Sequence, residues 1–298
     1  MMKEKLLRMC LMGMMLLAGT SVWALSEVDG VYQIGSGDDL KAFAELVNSG
    51  EVDANAVLTA DIEYDIKSPQ IGNRANDYTS YNGTFDGQGH SVTINMFAET
   101  EGCALFNGVG PKGWVKNLIV KGTITTSAKM AAGIAVDNFG LISNCVADIT
   151  IISSISGDAT HGGIAARGLQ GFVVDCLSMV KMQSKTATNC GGLVGWPTKK
   201  MSVENCLNIN EMELAQESGS AVVVRNPGGN LGRAYGVYFK TPFGDLTGGT
   251  QITDEDLKSG KVCFLLNNDQ SDIQWTQNIG EDDYPVPFKT HKQVYCSA

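Results

Sequence analysis

Apolar and polar positions along this chain fall into short strand-like runs, and from residue 104 onward the runs repeat. The segments ALFNG from Ala104, GIAVD from Gly133, GIAAR from Gly163, GLVGW from Gly192 and AVVVR from Ala221 each read as a short apolar strand opened by Gly or Ala. Their starts recur at about 30 residues, a period that belongs to stacked repeat architectures. A second marker lies downstream in each unit: WVKNLIV, LISNCVA, VVDCLS and VENCLN. Its columns align. Val115, Ile142, Val173 and Val203 stand two residues before Asn117, Asn144, Asp175 and Asn205, and Leu118, Cys145, Cys176 and Cys206 follow directly. Further along, Ile124, Ile151, Met182 and Met212 form another apolar column.

A unit of this length without helical period cannot bury its apolar side alone, whereas stacked copies can. The pattern predicts an all-β fold, a right-handed parallel β-helix whose interior consists of like-on-like columns about 4.8 Å apart. Asn tolerates left-handed backbone, so Asn117, Asn144, Asp175 and Asn205 are expected at a repeated bend. Cys145, Cys176 and Cys206 beside them read as small buried hydrophobes.

Both ends of a solenoid need covers. SGDDLKAFAELVNSG predicts an N-terminal capping helix with Leu40, Phe43, Ala44 and Val47 on one face, Ser36 and Asp39 as cap, and Gly50 as stop. Between it and the first clear repeat, YNGTFDGQGHSVTI supplies Phe85, Val92 and Ile94 to the interior and turns at its glycines, with Asp86 in a turn. Residues 246–298 are expected to form a small C-terminal cap, with a helix start at Thr253 and Asp256. There Trp275, Tyr284, Phe288 and Tyr295 would close the last coil. The β-helix with its capping helix then spans 25–245.

Residues 1–24 have the basic start, apolar centre and small-residue end of a cleaved secretory signal, cut after Ala24. No later run is long enough for a membrane span. The formal net charge is -10 over 298 residues, which argues against nucleic acid as a partner. Seven cysteines follow the signal, an odd number, with no C-x-x-C and only three histidines, so neither a zinc site nor another cofactor is expected.

GGLVGW (Gly191 to Trp196) followed by VENC resembles the repeat of exported bacterial proteins that carry the GLUG motif. The run DDLKAFAELVNSG through YNGTFDGQGHSVTI is similar to the opening of such chains, and FLLNNDQSDIQWTQNIGEDDYPVPF to an ending found on bacterial surface proteins. The resemblance implies a β-helix, secreted or at the cell surface, adhesin-like or glycan-associated. It carries no catalytic residues over.

Four residues after each strand opening stand Gly108, Asp137, Arg167, Trp196 and Arg225. With Ile134 and Val136 inward, alternation sends this column outward, where Trp196 would stack on a sugar ring and Asp137, Arg167 and Arg225 would bond hydroxyls or carboxylates. The bland alternative is a local network in which Arg167 covers Trp196 and screens Asp137. Asp137 is the sole acid in that column, short of the paired carboxylates of a glycosidase and of the several oxygen ligands of calcium. His90, His161 and His291 read as surface or turn residues. The sequence thus points first to a noncatalytic binder of extracellular glycan or host surface protein. A polysaccharide lyase or hydrolase with an unrecognised site, and a structural part of a surface assembly, stay open beside it.

Overall fold

The computed structural model describes residues 25–64, 69–74, 79–215, 219–225, 233–268 and 270–295; the expected signal segment and Cys296 lie outside them. The chain coils into a β-solenoid of about six turns. One parallel stack includes Asn55–Leu58, Thr84–Asp86, Trp114–Lys116, Leu141–Ser143, Phe172–Val174, Ser202–Glu204 and Arg233–Tyr235. We call this the first sheet. The second is built on Ser91–Ala98, Ile119–Thr126 and Val146–Ser153 and continues through shorter strands to Thr250–Gln251. The third stacks Phe106–Val109, Ala135–Asn138, Ala165–Gly168 and Val194–Pro197.

Register explains the interior. Val115 pairs with Ile142, Ile142 with Val173 and Val173 with Val203, all fully buried. Ile124, Ile151, Met182 and Met212 likewise sit on successive rungs. Four successive corners between the first and second sheets each hold a left-handed residue: Asn117, Asn144, Asp175 and Asn205 have φ of 51, 50, 51 and 51°. A left-handed conformation costs most L-residues roughly 1–2 kcal/mol, and Asn and Asp relieve that cost through local hydrogen bonds. Asn117 Nδ2, for example, donates to Asp86 Oδ1 at 2.9 Å.

At the start of the stack, helix α1 (Gly37–Asn48) is capped by Ser36, whose Oγ accepts from Asp39 N at 3.1 Å. Its face of Leu40, Phe43, Ala44 and Val47 joins the main core with Ile34, Tyr81 and Phe85. The aromatic rings of Phe43, Tyr81, Phe85 and Phe106 contact one another at centroid distances of 5.4 to 6.0 Å.

The C-terminal region departs from the expectation of a lid on the last coil. Helices α2 (Asp254–Lys258) and α3 (Lys261–Asn267) and the chain after them lie along the side of the solenoid. Val146, Leu177 and Leu207, one from each of three coils, form a second core there with Leu257, Val262, Cys263, Leu266 and Trp275. The reason is an outward apolar column on the second sheet that needs cover. The segment also binds the corner ladder: Gln270 Nε2 and Trp275 Nε1 donate to Asp175 Oδ1 at 2.6 and 3.0 Å, and Asn144 Nδ2 donates to Gln274 Oε1 at 3.0 Å.

Candidate functional site

The strip of Asp137, Arg167, Trp196 and Arg225 forms only in part. Asp137 pairs in register with Arg167, and Arg167 with Trp196. Arg225 is one step off, because Val194 bridges to Val224 and Gly191 to Ala221, which puts Arg225 beside Gly195. Asp137 is not turned out to solvent: it is 1 % exposed. Alternation fails at this strand, since Ile134 and Ala135 both enter the main core while Val136 packs in a small separate cluster with Ala104, Ala132 and Ala166.

Burying a carboxylate demands a partner. Arg167 supplies it as a two-pronged clasp, Nε to Oδ1 and Nη2 to Oδ2, each 2.5 Å. The Asp137 bond raises the Arg167 pKa further, against its partial burial. Arg225, rather than Arg167, covers Trp196, with the guanidinium carbon 4.9 Å from the ring centroid. Arg225 Nη1 also lies 3.2 Å from Asp158 Oδ1. Asp158 in turn accepts from Lys129 Nζ at 2.5 Å and Asn189 Nδ2 at 2.8 Å. Partial burial raises the Asp158 pKa, but these bonds and cations outweigh it and the net shift is downward. The charges of the strip are therefore spent on one another.

One histidine differs from expectation as well. His161 is completely buried, with Nε2 at 2.8 Å from Ser153 Oγ and Nδ1 without a hydrogen-bond partner. An unpaired lone pair costs less than an unpaired N–H, so the neutral ring carries its proton on Nε2 and donates to Ser153. Burial lowers its pKa to about 4. His90 has an acidic neighbour outside the repeats, Asp61, at 3.5 Å from Nδ1. Among the described residues no group of three or more His, Cys, Asp and Glu could hold a metal.

A different column does face outward. On the first sheet Trp114, Leu141 and Phe172 occupy one register position on three successive rungs, directly before the buried Val115, Ile142 and Val173. Alternation turns them outward, and Trp114 and Phe172 are 37 % and 48 % exposed. Trp114 is held in place: its Nε1 donates to Ser143 Oγ at 2.8 Å, and Lys116 Nζ stands 4.3 Å from the ring centroid. Lys116 is itself 3.4 Å from Asp86 Oδ2. Further along the stack Tyr235 is 45 % exposed, with the Arg233 guanidinium 5.7 Å from its ring. The C-terminal segment borders this face at the corner ladder, where Asn117, Asn144, Gln274, Phe288 and Lys289 line a cleft of about 460 Å³. The sequence signal for the column was the residue before each Val/Ile of the corner marker, read with period two.

No family model and no curated protein matches the chain. Among solved structures it is similar to one described as a "putative immunoglobulin A1 protease" from Bacteroides ovatus, with 18% sequence identity and a TM-score of 0.59 over 88% of this chain and 93% of that one, a likeness of fold.

Proposed function

We propose that this protein is a noncatalytic, exported β-solenoid that binds an extended polysaccharide along the outer face of its first sheet. The carrying observation is the exposed column of Trp114, Leu141 and Phe172. Two rungs separate the aromatic residues, about 10 Å, on the scale of a disaccharide in an extended chain. Sugar rings present C–H faces that stack on aromatic rings, and the pinned Trp114 loses little freedom on binding. Asp86, Lys116 and Glu204 on the same strands supply polar partners for hydroxyls. The same reading takes the coil as right-handed, the usual hand of parallel crossovers, with α1 as its N-terminal cap.

The name of the similar structure raises a peptidase as the second reading. Among the described residues a hydroxyl meets a histidine ring twice: Thr290 Oγ1 lies 2.9 Å from Nδ1 of its chain neighbour His291, and Ser153 Oγ lies 2.8 Å from Nε2 of His161, where both residues are buried. A histidine held neutral down to about pH 4 is also a weak base. The convergent carboxylates of a polysaccharide-cleaving site have no counterpart at Asp137, which is fully engaged by Arg167.

A panel of soluble polysaccharides tested by affinity electrophoresis checks the proposal. Trp114→Ala and Phe172→Ala are each expected to weaken retention about tenfold, the equivalent of roughly 1.4 kcal/mol, while Trp196→Ala leaves it unchanged. Retention that ignores both substitutions, or cleavage of any glycan, overturns it.

A further inference from the structure

We propose that the cysteine column forms one disulfide, between Cys176 and Cys206 on adjacent rungs, and that Cys145 remains a thiol. Ser143 pairs with Val174, which brings Cys145 level with Cys176, and Leu177 pairs with Leu207, which brings Cys176 level with Cys206. All three side chains are completely buried. Neighbouring rungs of a parallel stack stand about 4.8 Å apart, inside the roughly 4.4–6.8 Å window of Cα separations that disulfides span. Of the described cysteines, Cys103 and Cys190 share another column, but Ala131 and His161 stand between them.

Within the column the second pair is the closer match. Cys206 Sγ leans back toward the preceding rung, where it accepts from Cys176 N at 3.4 Å and lies 3.6 Å from Val173 O. Cys176 Sγ leans back in the same sense, 3.6 Å from Ile142 O and 3.3 Å from Val174 O, so what sets the second pair apart is the bond that Cys176 N donates to Cys206 Sγ. Closure requires the Cβ atoms to draw together by a few tenths of an ångström, while Leu207 N stays bonded to Cys176 O across the same two rungs at 3.0 Å.

The chemistry is thiol–disulfide exchange with a small-molecule or protein disulfide as oxidant. Cys176 thiolate attacks one sulfur of the oxidant, forms a mixed disulfide and expels the first thiolate. Cys206 thiolate then attacks Cys176 Sγ and expels the second. Two protein thiols lose two electrons and two protons, and the oxidant is reduced to two thiols. Because the native column is sealed from solvent, exchange takes place before these coils close.

The three cysteines fall on separate tryptic peptides, since cleavage follows Lys129, Arg167, Lys181, Lys200 and Arg225. The full chain is reduced, unfolded, refolded with oxidised glutathione, blocked with N-ethylmaleimide in denaturant and digested without reduction. The expected product joins the peptide of Cys176 to that of Cys206, with maleimide on Cys145. Cys145→Ala keeps the cross-link. Cys176→Ala removes it and leaves Cys145 and Cys206 both blocked, because two rungs, about 10 Å, are beyond reach. Circular dichroism shows whether that variant has kept its β-structure, and Cys206→Ala gives the same test from the other side. Maleimide on all three thiols of the wild type, or Cys176 joined to any residue other than Cys206, overturns the proposal.

Discussion

The Asp137–Arg167 pair shows how one side chain can reverse the meaning of a sequence column. Read by alternation, Asp137 was an exposed ligand; in the fold it is 1 % exposed and held by two charge-assisted bonds. Arg167→Ala strands that carboxylate, and loss of one partner from a buried ion pair costs about 3–5 kcal/mol. Chemical denaturation should show that loss, whereas Asp137→Asn with Arg167→Met should recover most of it. His161 adds a pH dependence. Its folded pKa of about 4 lies below its ordinary 6.5, so the unfolded chain binds the extra proton. Its contribution is full above pH 6.5 and is lost as pH falls toward 4, on the order of 3 kcal/mol in all. Asp175 works in the opposite sense: burial raises its pKa to about 7, so its protonation favours the folded state as pH falls from 7 toward 4. The His161 effect is thus the difference between wild type and His161→Gln in denaturation midpoints across that range, and equal pH slopes for the two would refute it.

The corner is the recurring element, and it was legible in the sequence because a single requirement, a left-handed residue, recurs in four successive coils and is followed by a small buried cysteine in three of them. The φ values of 50 and 51° at Asn144 and Asn205 carry that requirement. Asn205→Ala should cost about 1–2 kcal/mol and Asn205→Gly distinctly less, since glycine takes the conformation without strain. Equal costs for the two, measured by urea titration, would mean that side-chain bonding rather than backbone conformation dominates. The exposed column of Trp114, Leu141 and Phe172 was equally legible, each residue standing directly before a buried Val or Ile of the corner marker. Arg225 was misplaced for another reason. The strand openings put 29 residues between the last two rungs, but the bridges there are 30 residues apart, and a one-residue shift in a β-strand moves a side chain to a different position on the sheet.

The course of the C-terminal segment was not legible, because it depends on partners distant in sequence, such as Trp275 with Asp175 and Pro287 with Asn144. Its apolar residues identify it as a cover without saying what it covers. The covered surface is the outward column of Val146, Leu177 and Leu207, and the segment fastens to the corners beside it. In this geometry it adds a clamp to coils already held by rung-to-rung pairing and their shared interior, and it walls one margin of the Trp114–Phe172 face. A chain ending at residue 252 should therefore keep its β-structure by circular dichroism, since the main core is a separate cluster from the one it loses. The same chain should bind a hydrophobic dye and self-associate in sedimentation, because it exposes a contiguous apolar strip. Trp275→Phe tests the clamp more gently: it keeps an aromatic ring in the buried site, smaller than the indole, and removes the Nε1–H bond to Asp175, and faster proteolysis within 254–295 at unchanged global stability is expected. If the shortened chain stays monomeric and dye-negative, the segment is an accessory; if it unfolds altogether, the segment is part of the solenoid's own core rather than a clamp upon it.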